Sequence, residues 1–212
     1  MNPALAVLIA YVAGSFPSAY LAGRALRGID LRTVGSGNLG ATNVYRTLGA
    51  GAASVVLLID ALKGALPAAL LPASIDAAYL GGANSALWWG LACGVAAIVG
   101  HARPIFLLWK GGGKGVATAA GVFAALAPAA LGMAVIIFAA TVYSSRLVSL
   151  ASIGGSLSLP IAVAVTLGAR SPVFAVACLI ALFVVWTHRA NIQRIRVGTE
   201  PRLTSPKAEG SR

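Results

Sequence analysis

From Gly115 to Val142 the chain runs for 28 residues without a charged side chain, and Pro128 stands near the middle. In a bilayer every backbone N–H and C=O of such a run must be satisfied within the protein, so the run has to be helical. It is also too long for one crossing, which takes roughly 20 residues. Proline breaks or kinks a helix interior. The run therefore predicts two short or partial membrane helices meeting at Pro128, as a wedge or re-entrant pair.

The remaining apolar runs fall at 3–23, 51–71, 86–101, 148–168 and 172–187. Charged residues make up 10% of the chain, against roughly 25% in soluble domains. Arg24, Arg27 and Arg32 follow the first run, which predicts an N-terminus outside and a cytoplasmic first loop. No basic segment precedes that run, so it does not read as a cleavable signal peptide. Six simple crossings would return the C-terminus to the outside. Yet the tail carries Arg189, Arg194, Arg196, Arg202, Lys207 and Arg212, which belong in the cytoplasm. The extra crossing at Pro128 restores the parity. The expected fold is an all-α integral membrane protein with seven transmembrane helices, N-terminus outside and C-terminus cytoplasmic. Residues 1–203 are expected to form a single multi-span domain and 204–212 a disordered cytoplasmic tail.

This topology accounts for the net charge of +11 without nucleic acid. Basic residues between and after spans suit anionic headgroups and anionic substrates. Cys93 and Cys178 lie inside apolar runs with no spacing for a disulfide framework or a metal site. The polar segments 24–50, 101–114, 143–152 and 188–212 all fall on the predicted cytoplasmic side, and chemistry is expected there.

Three of them hold unusual donor density. The first is Gly35-Ser-Gly-Asn-Leu-Gly-Ala-Thr-Asn-Val-Tyr-Arg46. Its glycines at 35, 37 and 40 allow turns with positive φ and a nest of free N–H groups for an anion. Ser36, Asn38, Thr42 and Asn43 add neutral donors, and Arg46 adds a guanidinium fork suited to phosphate. A helix is expected from Ala41, with its positive end toward the same place. The second spans Gly100 to Thr118 and includes Trp109-Lys-Gly-Gly-Gly-Lys-Gly115. It fails as a nucleotide P-loop, because Gly115 and not Ser or Thr follows Lys114. Glycines flanking Lys114 still expose N–H groups beside a point charge, and a helix is expected to start just after Gly115. The bland reading, a basic anchor, covers Arg103 and Lys110 but not three consecutive glycines. The third runs from Thr187 to Leu203, where His188, Asn191 and Arg194 recur at three-residue spacing on one helix face. Asp60 and Lys63 sit three apart inside the second span, as an ion pair orienting the first loop or as substrate contacts. Ser144, Ser145, Ser149 and Ser152 line the segment near 143–152, each weak evidence alone.

Together these stretches resemble the bacterial acyl-phosphate:glycerol-3-phosphate acyltransferases, the PlsY family. The family pattern GSGNxGATNxxR is matched at Gly35–Arg46, GHxxPxFxxFKGGKGVAT at Gly100–Thr118 and HxxNIxRLxxGxE at His188–Glu200, where Ile195 conservatively replaces the pattern's leucine. DxxKG is matched at Asp60–Gly64 and SLASI at Ser149–Ile153. This chain has one glycine more than the family's usual two between Lys110 and Lys114, which favours Lys114 over Lys110 as the functional lysine.

The resemblance implies transfer of a fatty acyl group from acyl phosphate to the 1-hydroxyl of sn-glycerol 3-phosphate. The products would be lysophosphatidic acid and phosphate, the first acylation of bacterial phospholipid synthesis. It implies a multi-pass protein of the inner (plasma) membrane with a cytoplasmic active site and no cofactor or metal. Its partners would be the two substrates, membrane lipid and, by functional coupling, the acyl-phosphate-producing enzyme. The residues carried over as catalytic are Ser36, His188 and Asn191. Those carried over for substrate or phosphate are Gly37, Asn38, Thr42, Asn43, Arg46, Gly113, Lys114 and Ser152. Asp60, Lys63, His101, Lys110, Arg194 and Glu200 would support them. The rival class is a transporter of an organic phosphate, but transporters tend to show internal repeats and a midplane site. No repeat is visible here, and only Asp60 and Lys63 lie deep. A lipid-binding scaffold would explain the basic tail but not the glycine loops.

Overall fold

A computed structural model describes residues 1–82 and 84–203, so the tail expected at 204–212 lies outside the described residues. Among these residues every regular element is a helix, without strands. The helices are α1 (Pro3–Gly14), α2 (Ser18–Arg27), α3 (Ala41–Leu48), α4 (Ala50–Leu70) and α5 (Ser85–Ala102). Then come α6 (Val116–Leu126), α7 (Pro128–Ser145), α8 (Val148–Leu167), α9 (Pro172–Thr187) and α10 (Arg189–Arg196). Five stretches are long and apolar enough to cross a membrane: Pro3–Arg27, Ala50–Ser74, Ser85–Leu107, Pro128–Ser145 and Val148–Leu167. The pair α9 and α10 would make a sixth, although it is bent by 58°.

The break at Pro128 falls where the sequence puts it. Helix α6 ends at Leu126 and α7 opens with Pro128 in its first position, where a missing N–H costs nothing. The expectation of two short helices is corrected for one of them. Only α6, with 11 residues, is short. Helix α7 has 18 residues, roughly 27 Å at 1.5 Å per residue, and is a full candidate span. Proline at N1 starts a helix without shortening it.

The run 3–23 also differs from the expected single helix. Helix α1 stops at Gly14, and Ser15, Phe16 and Pro17 form a bend before α2. Pro17 lacks an N–H and disfavours helical geometry at Phe16. The carbonyl of Phe16 accepts from Ser18 N at 3.0 Å and from Lys63 Nζ of α4 at 2.9 Å, so the bend is held from the neighbouring helix. Beyond it α2 turns amphipathic, with Arg24 and Arg27 in its last turn and a left-handed cap at Gly28.

Two groups of helices pack side by side. Helices α1, α4, α5 and α6 form one, α7, α8 and α9 the other, and α9 touches both α5 and α6. Phe123, Ile98, Val122, Val163 and Val184 lie in the shared core. The α4–α6 contact is backbone to backbone: a Cβ on Gly64 would run into Thr118 O, and one on Gly121 into Ala61 O. Small residues permit such approach in lipid, where apolar side chains gain nothing by leaving the solvent. This contact brings the start of α6, and Lys114 just before it, close against α4.

Candidate active site at the basic end of the bundle

The loop before α3 is built around Asn43. Its side chain is 1% exposed, its Oδ1 accepts from Ser36 N at 3.0 Å, and its Nδ2 donates to Leu31 O and Val34 O. Both amide protons and the amide oxygen are engaged inside the loop, so Asn43 shapes it. The expected nest is corrected in the same way. Gly35 and Gly37 have φ of 63° and 68°, but Gly40 is extended at −133°. The N–H of Ser36 goes to Asn43 and that of Gly37 to Val34 O, so neither is open to an anion. What remains available is the start of α3, which has no side-chain cap. Thr42 and Arg46 lie one turn apart on that helix, and the Ser36 hydroxyl is exposed.

The second loop packs under the first. Leu39 N reaches Gly112 O at 3.4 Å, and Arg32, paired to Asp30 at 2.6 Å, donates to Lys110 O at 3.2 Å. Lys110 itself is exposed. Gly113 is buried, and its N–H donates to His101 O, so it too is unavailable for phosphate. A Cβ there would overlap the His101 ring, and one on Gly112 would overlap Ala102 O. The extra glycine of this chain therefore lies in a loop packed tightly on the end of α5. Helix α6 starts at Val116 without a side-chain cap, as the glycine spacing predicts.

The third segment closes the site. Lys114 Nζ donates to Asn191 Oδ1, and Asn191 Nδ2 donates to Glu200 Oε1 at 2.6 Å. Arg194 Nε reaches Glu200 Oε2 at 2.7 Å. Arg46 Nη2 donates to Pro201 O at 2.9 Å, and Leu203 N to Arg146 O at 2.7 Å. The segment after α10 thus runs back across α3 and the turn before α8. His188 occupies the bend between α9 and α10 and is 3% exposed. Its Nδ1 lies 2.8 Å from Val184 O. A carbonyl only accepts, so Nδ1 carries the proton of the neutral ring and Nε2 keeps its lone pair.

The charges shape one another. Burial pulls Lys114 down to about 8, with Glu200 opposing and Arg194 and Arg46 adding to the fall. Burial, then the Lys114 charge, pulls His188 down to about 4, so its ring is neutral at pH 7. Burial likewise lowers Arg46. Burial would raise Glu200, but hydrogen bonds from Asn191 and Arg194 hold it below the usual carboxylate value. Ser149 adds to that effect without a hydrogen bond of ordinary geometry. Its hydroxyl is buried and otherwise unpartnered. Lys114, Arg46 and Arg194 against the single carboxylate of Glu200 leave two positive charges.

Lys114, His188, Asn191, Arg194, Glu200 and Arg46 are therefore brought together. Ser152 is buried on α8 with its hydroxyl donating to Val148 O at 2.9 Å. Ser36, Asn38 and Thr42 make no side-chain hydrogen bonds within the described residues. Sequence reasoning named Ser149 only as weak evidence among the serines of 143–152 and gave it no role at the site, although it stands three residues before Ser152 on the same helix face. It also missed Thr187, whose hydroxyl meets Lys114 O at 3.3 Å.

The sequence profile of the glycerol-3-phosphate acyltransferases matches residues 4–198. The chain belongs to the glycerol-3-phosphate acyltransferase family. A relative of that name from Synechococcus sp. (strain CC9902) is 45% identical over 204 residues, covering 96% of each chain. One from Listeria monocytogenes serotype 4a (strain HCC23) is 44% identical over 203 residues, covering 96% of this chain and 98% of the relative. Among solved structures, the glycerol 3-phosphate form of PlsY (YgiH), an integral membrane glycerol 3-phosphate acyltransferase, superposes with a TM-score of 0.84. It is 36% identical and covers 95% of this chain and 96% of PlsY. The lysophosphatidic acid form gives 0.80 at 34% identity, covering 96% of each chain.

Proposed function

We propose that this chain transfers a fatty acyl group from acyl phosphate to the 1-hydroxyl of sn-glycerol 3-phosphate. The observation that carries the reading is the excess of two positive charges on partly buried side chains beside a buried, neutral imidazole, in a family whose members are named for acylation of glycerol 3-phosphate. A phosphate monoester carries about −1.5 to −2 at pH 7 and matches that excess.

The chemistry asks little of the protein. The glycerol 1-oxygen attacks the acyl carbonyl carbon, the bond from that carbon to the phosphate oxygen breaks, and phosphate leaves with the electron pair. The hydroxyl proton goes to a phosphate oxygen or to His188 Nε2. We favour the phosphate, with His188 accepting a hydrogen bond and orienting glycerol 3-phosphate. Lys114 and Arg46 stabilise the charge that builds on the leaving group, with the uncapped start of α6 beside them. Asn191, held by Lys114 and Glu200, and the hydroxyls of Ser36, Thr42 and Ser152 orient the substrates, while the acyl chain stays in lipid. No metal or cofactor is needed, and an acyl-phosphate-producing enzyme would supply the donor.

The reading includes seven membrane helices, with α6 as the short one, the N-terminus outside and the site at the cytoplasmic face of the inner membrane. The spread of basic residues along the chain supports it. Purified protein given acyl phosphate and glycerol 3-phosphate should yield lysophosphatidic acid, while acyl thioesters should not serve as donors. Uptake of glycerol 3-phosphate into vesicles without product would support a transporter instead. For topology, cysteines replacing Ser74 and Ser145, in a background lacking Cys93 and Cys178, should be respectively labelled by and shielded from an impermeant reagent outside intact cells.

A further inference from the structure

Asp60, Lys63 and His101 form a buried polar cluster, 1%, 8% and 6% exposed, that the transfer chemistry does not use. Buried ionisable groups in a membrane span are costly and call for a reason. Asp60 Oδ1 accepts from Ser18 Oγ at 2.6 Å and pairs with Lys63 Nζ at 2.7 Å. His101 Nδ1 stands 3.6 Å from the same oxygen, and Asp60 Oδ2 has no hydrogen-bond partner. The other edge of the His101 ring backs onto Gly113, so closely that a Cβ on Gly113 would overlap Nε2. Gly113 N also donates to His101 O at 3.2 Å. The next residue is Lys114, on Asn191. Between this loop and the bend at Phe16–Pro17 there is a cavity of only about 10 Å³, lined in part by Lys63, His101, Gly112 and Gly113. That is room for at most one water, so the loop has no slack on that side.

We propose that Asp60 and His101 are positioning residues for acyl transfer: the carboxylate fixes the imidazole, the imidazole is the wall for Gly113, and Gly113 sets where the Lys114 ammonium meets Asn191. The proposal rests on the acyl-transfer reading. A side chain as mobile as a free histidine could swing away from Gly113. The Asp60 carboxylate, itself pinned by Lys63 and Ser18 and 3.6 Å from Nδ1, is the charge the ring faces on its other edge. The cluster thereby ties the α1–α2 bend, the middle of α4 and the end of α5 to one catalytic charge.

The test is a set of double-mutant cycles in kcat and in KM for glycerol 3-phosphate, on purified protein with thermal unfolding recorded for each variant. Displacing a reacting group by about 1 Å can cost on the order of a hundredfold in rate. Asp60→Asn and His101→Ala should each lower kcat at least about tenfold with KM changed by no more than about threefold. The double variant should be no slower than the slower single, because both act along one path. Gly113→Ala should be nearly inactive, and adding His101→Ala should restore at least about tenfold in kcat, since the methyl then enters the space the ring has left. A multiplicative Asp60/His101 double, a loss confined to KM, or no recovery of Gly113→Ala would each overturn the proposal. If Asp60→Asn does not fold, the Gly113/His101 pair decides alone. A wild type without turnover would refute the acyl-transfer reading; a working wild type with full kcat in the variants refutes the positioning only.

Discussion

Lys114 is the group whose protonation should be readable in solution. In the proposed reaction its ammonium stays charged to stabilise a departing phosphate, while burial and the nearby Arg194 and Arg46 hold it at about 8. The active form is the protonated one, so activity is present below that value and lost as pH rises through it. About nine molecules in ten are charged at pH 7 and about one in ten at pH 9, and kcat/KM should fall about tenfold per unit above the midpoint. The second ionisation of a phosphate monoester, near 6, lies on the other side and does not mask this limb. Lys114→Arg keeps its charge beyond pH 12, so the limb should vanish, although the guanidinium fork meets Asn191 differently and the plateau should drop. Lys114→Met should lower the plateau on the order of a hundredfold, as for removal of one donor at a preorganised anion site. Glu200→Gln provides a third arm. Glu200 is the partner that raises Lys114, so its neutralisation should move the limb to lower pH. The assay is initial-rate release of inorganic phosphate from acyl phosphate across about pH 6 to 10, with unfolding checked at each end. A wild-type profile flat through pH 10, or a limb that survives in Lys114→Arg, would refute the argument.

Asn43→Ala should lower the unfolding midpoint in a thermal-shift assay: it strands the Ser36 N–H and the Leu31 carbonyl, each costing about 1–3 kcal/mol if left unsatisfied, while the Val34 carbonyl keeps the Gly37 N–H. Deleting any one of Gly111, Gly112 or Gly113 should abolish phosphate release at normal expression, because the loop is packed against His101 and Ala102 and cannot shorten without moving Lys114. His188→Gln should keep measurable turnover with a raised KM for glycerol 3-phosphate. The wild-type profile should show no imidazole limb above about pH 5, since His188 is neutral until pH falls to about 4.

Much of the site was legible because its chemistry needs particular residue types at short spacing. His188, Asn191 and Arg194 were readable as one face, and the lysine flanked by glycines, Lys114, is the one that the structure brings onto Asn191. The break at Pro128 was readable because proline acts on its own backbone. What was not legible depends on partners distant in sequence. Asn43 looked like a donor for substrate, and only its contacts to Leu31, Val34 and Ser36 reveal that its amide is spent. Gly113 looked open until the His101 ring, twelve residues earlier, was seen behind it. The bend at Phe16–Pro17 was hidden in an apolar run because Lys63, which holds it, lies on another helix. Hydrophobicity reports burial in lipid and says little about where a helix stops.

The stretch from Gly198 to Leu203 binds Arg46 through the Pro201 carbonyl, Asn191 and Arg194 through Glu200, and the Arg146 carbonyl through Leu203. It stitches α3, which packs on α4 of the first group, to the turn between α7 and α8 of the second. For anyone handling the protein, it marks where engineering must stop. A truncation before Glu200 would unfasten Arg46, Asn191 and Arg194 and the tie to the turn before α8 at once, whereas an affinity tag or fusion partner joined beyond Leu203 leaves every one of those attachments in place.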